Sequence, residues 1–337
     1  MITTTQKQGT VEVLKHSSEI LKGNPLGDKY VRDLCVYLPP DYETDAERRF
    51  PVVYCLSGFT GRGKMHLNDS AFTPNLPQRL DRLTANGSIK PMIVVMPDCF
   101  TKYGGSQYIN SSATGNYEDY LVNEIVPFVD ENFRTLSDRN SRAVTGKSSG
   151  GYGAMIMAMR HADIFALATS IAGDCYFELC YKPDFRKAFK AINGDPLKLV
   201  GKFYDEYSKK GKFAFDGLNM IGMSSSYSPN PESDYGFDLP FDLETCEVRE
   251  EIWNKWLEHD PVYLVEKSVE NLKSLNLFFI DAGTSDEFGL DLGARILAKR
   301  LEKFDIPHIH EEFDGGHFDI SYRYDRTFEK ISNSIRD

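Results

Sequence analysis

The clearest chemical signal in this sequence is a serine that lies between two glycines. Gly146-Lys147-Ser148-Ser149-Gly150 matches the pattern G-x-S-x-G, in which the serine occupies a sharp turn between a strand and a helix. An apolar segment of strand length, Arg142 to Thr145, precedes the motif, and a helical segment of small residues, Gly151 to Arg160, follows it. Side chains beside such a tight turn would collide with neighbouring backbone, so the glycines are a steric requirement. The pattern predicts that Ser148 is a nucleophile; an ordinary glycine turn is the alternative.

The same segment also resembles the end of a phosphate-binding P-loop, through Gly146-Lys147-Ser148. That motif requires another glycine five residues before Gly146, and the residue there is Ser141. We therefore set nucleotide binding aside. Lys147 is then expected to lie in solvent or near the mouth of the site.

A serine hydroxyl is a useful nucleophile at neutral pH only when a base lies within hydrogen-bond reach and a carboxylate orients that base. His317 is the predicted base, because it lies in a glycine loop between the last predicted strand, His308 to Phe313, and a final helix. His308 and His310 lie on that strand, where we expect them to be structural or exposed.

The acid is expected after the strand Leu275 to Ile280, where three carboxylates compete. Asp281 ends the strand and is predicted to cap the turn. Asp286 lies farther along the loop and is predicted to orient the imidazole, in which case Glu287 points away. The chain order Ser148, Asp286, His317 is the order found in α/β-hydrolases, not in the chymotrypsin or subtilisin types.

Negative charge that develops on a carbonyl oxygen requires fixed hydrogen-bond donors. We expect one donor to be the backbone amide of Ser149, at the start of a helix where the dipole favours an anion. The second is predicted to be the amide of Phe59, in the glycine loop 56–61, for which an ordinary turn is the alternative. Contacts with the substrate are predicted for Gly58, Tyr108, Lys147 and Phe177, and further aromatic walls for Tyr103, Trp253 and Trp256.

The elements that must position these residues alternate along the chain. Apolar runs of strand length are Val31 to Leu38, Pro51 to Leu56, Met92 to Met96, Arg142 to Thr145, Phe165 to Ile171 and Leu275 to Ile280. Several are nearly continuous, which is typical of strands covered on both faces of a parallel sheet. Segments with helical periodicity, such as Tyr117 to Phe133 and Gly289 to Phe304, lie between them. This alternation predicts a doubly wound α/β fold with a mostly parallel sheet flanked by helices.

One segment interrupts the alternation. From about residue 176 to residue 257 the sequence is polar and irregular, with aromatics and short helical pieces but no convincing strand. We interpret residues 1–175 and 258–337 as an α/β-hydrolase core and residues 176–257 as a cap-like insertion over the carboxyl edge of the sheet. A solvent-side excursion with no role in the site is the alternative.

Composition excludes several classes of function. The chain of 337 residues has 39 Lys and Arg against 50 Asp and Glu, a formal net charge of −11, so a nucleic-acid partner is not expected. The six cysteines are widely spaced and form no zinc-binding pattern, which indicates reduced structural thiols and no metal site. Residues Met1 to Thr10 lack the features of a secretion signal, and apolar runs elsewhere are shorter than about 18 residues. We predict a cytoplasmic protein with no membrane anchor; homo-oligomer formation is left open.

The motifs together resemble the Putative esterase family, which includes esterase D, S-formylglutathione hydrolases, feruloyl esterases and mycolyltransferases. The similarity covers roughly residues 30–175 and 257–325. The stretches that carry it are Tyr37 to Tyr42, Pro51 to Gly58, Met96 to Asp98, Gly105 to Asn110, Asn116 to Leu121, Gly146 to Gly153 and Gly315 to His317.

This resemblance implies an α/β-hydrolase with a triad of Ser148, Asp286 and His317 and oxyanion donors at Phe59 and Ser149. It implies hydrolysis of a small-molecule ester through an acyl-serine intermediate, with no cofactor. The loop after Phe59 reads Thr60-Gly61 and lacks the cysteine typical of S-formylglutathione hydrolases, which argues against a glutathione thioester. Thioesterase or acyltransferase activity on the same fold, and an inactive binding protein, are the alternatives.

Overall fold

A sheet of eight strands forms the centre of the computed structural model, which describes residues 7–206 and 215–337. Its strands are β1 (Thr10–Ser17), β2 (Val31–Leu38), β3 (Val52–Leu56), β4 (Ile93–Pro97), β7 (Arg142–Lys147), β8 (Leu167–Ile171), β9 (Leu277–Gly283) and β10 (Ile309–Phe313); β5 (Asn110–Ser111) and β6 (Gly115–Asn116) form a separate small hairpin. The spatial order is β1-β2-β4-β3-β7-β8-β9-β10. Strands β1 and β2 are antiparallel to their neighbours, and the other six are parallel.

The predicted strands agree with the observed ones to within two or three residues at each end. Strands β3, β4, β8 and β9 are buried along their whole length, because helices cover both faces of a parallel sheet. The first strand, Thr10–Ser17, was not predicted. It lies at the edge of the sheet and alternates exposed with half-buried side chains, so it carries no continuous apolar run.

Helices connect and flank the strands. They are α1 (Leu76–Ala85), α2 (Tyr117–Asp119), α3 (Val126–Asn132), α4 (Ser149–Arg160), α5 (Phe177–Cys180), α6 (Phe185–Ile192), α7 (Pro196–Glu206), α8 (Phe215–Tyr227), α9 (Glu250–Leu257), α10 (Pro261–Leu264), α11 (Val269–Lys273), α12 (Leu290–Lys303) and α13 (Arg323–Ser334). None of these helices, in the described ranges, combines the length and the hydrophobicity needed to cross a bilayer.

Two predicted helices differ in detail from the structure. The single helix expected from Tyr117 to Phe133 is α2 and α3 joined by a wider π-type turn, Tyr120–Ile125. Pro127 follows that turn, and proline has no amide hydrogen to continue a regular α-helical ladder. In α12, the apolar positions of the segment Gly289 to Phe304 predict one buried stripe that includes Leu292, but Leu292 is 41% exposed.

Where the structure describes them, residues 176–257 contain helices, loops and two isolated β-bridges but no strand, with residues 207–214 outside the described part. Helices α6, α7 and α8 contact one another, and the segment has its own aromatic core. In that core Tyr227 packs against Phe177, Tyr181 and Trp256, with ring centroids 5.0, 6.1 and 5.3 Å away. The division into core and cap-like insertion remains a prediction, and residues 1–6 of the predicted core also lie outside the description.

Asp260 joins the two ends of this segment. Its Oδ1 accepts hydrogen bonds from the amides of Tyr176 (3.0 Å) and Val262 (2.9 Å), and its Oδ2 accepts one from the amide of Phe177 (2.7 Å). The residue is fully buried, and burial raises the pKa of Asp260 to about 6. The Asp260 carboxylate therefore holds the first residues of the segment, Tyr176 and Phe177, next to the chain that follows its last residue.

We expect Asp260→Ala to lower the free energy of unfolding by at least about 3 kcal/mol, because it leaves two buried amides and one half-buried amide without an acceptor. Denaturant unfolding followed by circular dichroism measures this loss. Asp242→Ala is the matched control: Asp242 also accepts three hydrogen bonds, from the Glu244 and Thr245 amides and the Thr245 hydroxyl, but in an exposed turn. Water replaces those bonds, so the control is expected to lose much less stability than Asp260→Ala. Equal losses in the two variants would contradict this account.

Candidate active site

Ser148 lies on a strained turn at the carboxyl end of β7. Its backbone has φ 57° and ψ −128°, a conformation that is costly for a residue with a side chain. The flanking glycines allow the turn: a Cβ added to Gly150 would collide with the Leu56 carbonyl oxygen, and one added to Gly146 would collide with the backbone of Gly150. The steric reason given for the G-x-S-x-G pattern therefore matches the packing around Ser148.

The structure places Ser148, His317 and Asp286 in a line. His317 Nε2 is 3.0 Å from Ser148 Oγ, and His317 Nδ1 is 2.9 Å from Asp286 Oδ2. These residues come from the ends of β7, β9 and β10, which meet at the carboxyl edge of the sheet. The imidazole of such an arrangement can accept the serine proton while the carboxylate holds the ring and stabilises its charged form.

The loop after β9 uses two adjacent acids to hold His317. Asp286 Oδ1 accepts the amides of Phe288 (2.9 Å) and Leu290 (3.3 Å), which fixes the carboxylate whose other oxygen faces the imidazole. Glu287 does not simply point away, as expected from the sequence. Its Oε2 accepts the backbone amide of His317 at 2.6 Å, so Glu287 holds the main chain while Asp286 orients the ring.

Asp281 has a different role from the one predicted. It lies inside β9 instead of capping the following turn, and its Oδ2 accepts a hydrogen bond from Arg323 Nε at 2.7 Å. The side chain is fully buried, and burial raises the pKa of Asp281 to about 6 against the opposing effect of Arg323. Asp281 therefore pairs with α13 and does not reach His317.

The loop after β3 lies against Ser148. A Cβ added to Gly58 would be 3.2 Å from the Lys147 carbonyl oxygen and 3.4 Å from Ser148 Cβ. In the described part of the chain, the amides of Phe59 and Ser149 have no protein acceptor, whereas those of Thr60 and Gly61 bond to Gly104 and Gly58. Both amides that were predicted to bind an oxyanion are thus available beside Ser148.

A cavity of about 460 Å³ opens beside this line of residues. Six of the predicted site residues line this cavity: Gly58, Phe59, Lys147, Ser148, Ser149 and His317. Asp286 does not, because its side chain is fully buried behind His317. Residues from the segment 176–257 complete the wall, among them Tyr181, Asp184, Asp216, Asn219 and Met220. The volume is suited to a small organic molecule.

Two residues predicted to contact the substrate do not line this cavity. Phe177 is fully buried and packs on Tyr152 and Tyr181. Tyr108 is 5% exposed, its ring lies against Gly153, and its hydroxyl donates to the Ser57 carbonyl at 2.6 Å. Large aromatic side chains gain most from full burial, which is why they lie in the core here. Tyr103, Trp253 and Trp256 are also buried away from the cavity wall.

Tyr108 instead supports the loop that carries the Phe59 amide. We expect Tyr108→Phe to lower kcat for an ester substrate by about tenfold with a smaller change in KM, because a looser loop weakens donors that act on the transition state. The matched control is Tyr120→Phe, since the Tyr120 hydroxyl is buried and has no partner among the described residues. Steady-state kinetics measure kcat for both variants. Equal losses of kcat in Tyr108→Phe and Tyr120→Phe would refute the role of Tyr108.

Several residues at the cavity were not identified from the sequence. Asp174 follows the carboxyl end of β8 and lines the cavity beside Ser149, to whose hydroxyl it is hydrogen-bonded at 3.2 Å. Its place just after a buried parallel strand is the signal that could have found it. His66 also lines the cavity, with Nε2 3.1 Å from Ser57 Oγ, and burial lowers the pKa of His66 to about 4.

Lys147 lies in the cavity wall, half-buried beside Ser148. Its Nζ is 5.8 Å from the centre of the Phe318 ring, and burial lowers the pKa of Lys147. Among the residues that the structure describes, no group of three or more His, Cys, Asp or Glu side chains is arranged to hold a metal ion. The six cysteines are free thiols.

Comparison with solved structures supports the fold. A ferulic acid esterase superposes with a TM-score of 0.62 and 19% sequence identity, covering 98% of this chain and 99% of that one. An S-formylglutathione hydrolase from Agrobacterium tumefaciens gives a TM-score of 0.59 and 19% identity, covering 98% of each chain. At these identities the likeness concerns the fold alone, and it confirms the predicted α/β-hydrolase architecture.

Sequence comparison gives the family. Over 144 residues the chain is 38% identical to Esterase Rv1288 of Mycobacterium tuberculosis (strain ATCC 25618 / H37Rv), an alignment that covers 41% of this chain and 28% of that protein. The chain thus spans less than a third of the length of that curated relative. Residues 29–328 match the family described as Putative esterase. Because this match includes most of the chain, the protein belongs to the Putative esterase family.

Proposed function

We propose that this protein is a serine carboxylic-ester hydrolase that acts on small-molecule esters with short-chain or aryl groups. The observation that carries the proposal is the pair of contacts that connect Ser148 Oγ to His317 Nε2 at 3.0 Å and His317 Nδ1 to Asp286 Oδ2 at 2.9 Å. Membership of the Putative esterase family supports the same chemistry. The cavity beside Ser148, of about 460 Å³, is suited to a small ester.

In the proposed reaction, Ser148 Oγ attacks the ester carbonyl carbon while His317 Nε2 takes the hydroxyl proton. The carbonyl oxygen becomes an oxyanion that the amides of Phe59 and Ser149 bind. Collapse of this intermediate breaks the bond to the alcohol, which leaves with the proton from His317. Water, deprotonated by His317, then attacks the acyl-serine and releases the acid. Asp286 holds the imidazole throughout, and Glu287 fixes the backbone that carries it.

We also propose that residues 176–257 form a cap over the site. Tyr181, Asp216 and Met220 from this segment line the same cavity as Ser148 and His317, which supports a role in substrate selection. A cytoplasmic location remains a prediction from the sequence.

A fluorophosphonate probe tests the proposed nucleophile. We expect the folded protein to bind one probe molecule, with fluoride as the leaving group, and peptide mass spectrometry to locate the adduct on Ser148. The same preparation should hydrolyse p-nitrophenyl acetate and p-nitrophenyl butyrate. Folded protein that neither reacts with the probe nor hydrolyses either ester would refute the proposed function. Transfer of the acyl group to an added alcohol, seen by product analysis, would favour the acyltransferase alternative.

A further inference from the structure

A buried carboxylate at the cavity wall has one oxygen that accepts no hydrogen bond from any described residue. Asp174 is 7% exposed and lines the cavity that contains Ser148. Its Oδ2 accepts three hydrogen bonds, from the Tyr181 hydroxyl (2.8 Å), Gln107 Nε2 (3.2 Å) and the Ser149 hydroxyl (3.2 Å). In the described ranges Oδ1 accepts none, and it is not among the polar atoms sealed from solvent. The small exposed part of Asp174 therefore faces the cavity.

The three donors hold this carboxylate in a fixed position. Tyr181 and Gln107 are buried, and Gln107 Nε2 also donates to the Tyr227 hydroxyl at 2.8 Å. Burial raises the pKa of Asp174, while the hydrogen bonds from its partners oppose that rise. A buried carboxylate oxygen that receives no hydrogen bond carries an unfavourable desolvation free energy, and Asp174 cannot turn away because its other oxygen is held by three donors. The site therefore favours a ligand that donates a hydrogen bond to Oδ1.

Helix α8 adds two polar groups to the same cavity. Asp216 and Asn219 are three residues apart, so both can face one side of the helix, and both line the cavity. Neither side chain makes a hydrogen bond to another described residue, and the charge of Lys187 acts on Asp216 without a direct contact. Asp184, which also lines the cavity, differs because its Oδ1 is paired with Lys187 Nζ at 2.7 Å.

Positive charge in the cavity wall is less available to a ligand than negative charge. Lys147 Nζ lies over the Phe318 ring. It also interacts electrostatically with Asp286, Glu287 and Asp319. Among the described residues, the cavity therefore offers carboxylate oxygens of Asp174 and Asp216 that accept no hydrogen bond, whereas Lys147 lies near three acids. Within the cavity, these carboxylates attract a ligand group that is cationic or donates a hydrogen bond, and they repel an anionic group.

We propose that Asp174, together with Asp216 and Asn219, selects esters that carry a hydrogen-bond donor, a hydroxyl or an ammonium group, and rejects esters that carry a carboxylate. This inference rests on the proposed ester hydrolysis and specifies its substrate class. A site built to bind a donor discriminates strongly against an analogue without one, because its own polar groups are then left unpaired.

Matched ethyl esters test the preference: ethyl butanoate, ethyl 3-hydroxybutanoate, ethyl 3-aminobutanoate and monoethyl succinate. A second series carries the group on the alcohol: propyl acetate, 2-hydroxyethyl acetate and acetoxyacetate. We expect kcat/KM, measured by product chromatography, to be at least about tenfold higher for a donor-bearing ester than for its neutral analogue in one of the series, and lowest for the anionic ester. The hydroxyl and ammonium esters of the first series distinguish the two kinds of donor.

Variants connect the preference to the named residues. We expect Asp174→Asn and, separately, Asp216→Asn each to lower the ratio of kcat/KM between donor-bearing and neutral esters by about tenfold. Asp216 is partly exposed, so its variant tests the inference even if Asp174→Asn does not fold. Asp163→Asn, an exposed carboxylate remote from the cavity lining, is the matched control and should leave the ratio unchanged.

The outcomes separate this inference from the proposed function. Hydrolysis of neutral esters with no donor preference in either series would overturn the inference and leave the hydrolase intact. A preference for the anionic esters, or a donor preference that both aspartate variants retain in full, would also overturn it. Absence of all ester hydrolysis together with an unlabelled Ser148 would overturn the function and the inference with it.

Discussion

Ser148→Ala is expected to lower kcat/KM for p-nitrophenyl butyrate by at least about 10⁴-fold, while the free energy of unfolding changes by less than about 1 kcal/mol. The large kinetic loss follows because no other hydroxyl lies 3.0 Å from His317 Nε2 in the contacts that the structure describes. The small effect on stability follows because alanine keeps the Cβ that the strained backbone at φ 57° already accommodates. Steady-state kinetics and denaturant unfolding measure the two quantities.

Ser285→Ala provides the matched control for this prediction. Ser285 lies on the loop that carries Asp286, its side chain is exposed, and its backbone amide, which the substitution keeps, donates to the Gly315 carbonyl at 2.9 Å. The same loss of a hydroxyl should therefore leave kcat/KM within about twofold, as for other exposed substitutions. A Ser148→Ala variant that retains more than a tenth of the parent activity would show that another residue is the nucleophile.

Asp286→Asn is expected to lower kcat by about 10⁴-fold, whereas Asp281→Asn should lower it by less than tenfold. An amide at position 286 cannot stabilise the charged imidazole, and it presents a donor where His317 Nδ1 needs an acceptor at 2.9 Å. Asp281 is buried too, but it is hydrogen-bonded to Arg323 on α13, so its loss acts on packing and not on the imidazole.

The pair of aspartates makes this comparison sharp, because the chemical change and the burial are the same in both. Thermal unfolding should accompany the kinetics, so that a variant that fails to fold is recognised. If Asp281→Asn were the severe variant and Asp286→Asn the mild one, with both folded, Asp286 could not be the residue that orients His317.

Much of the framework could be predicted because its causes are local in the sequence. The turn at Ser148 needs glycine at 146 and 150, since a side chain at either position collides with backbone within the same turn or with the adjacent strand β3. The strands that carry the site are continuous apolar runs, because both of their faces are covered. The edge strand β1 has no such run, so its pairing with β2 gave no comparable signal.

The choice among Asp281, Asp286 and Glu287 depended on contacts that no local pattern contains. Asp281 faces Arg323, which lies 42 residues later, and Glu287 reaches the amide of His317, 30 residues later. The sequence favoured Asp286 by its place in the loop. Only the packing of that loop against the glycine loop before His317 put the three carboxylates in three different roles.

By itself, the sequence determined the glycine-flanked turn at Ser148, the order of the candidate site residues along the chain and the parallel sheet, since each follows from steric or hydrophobic rules over a few neighbouring residues. The tertiary structure alone decided which side chains face the cavity. Tyr108 and Phe177 were expected there but are buried against Ser57 and Tyr227, residues 51 and 50 positions away. Asp174 faces the cavity instead, because burial of large apolar surface is favoured in any direction, whereas a fixed carboxylate needs the particular donors that only the folded chain assembles.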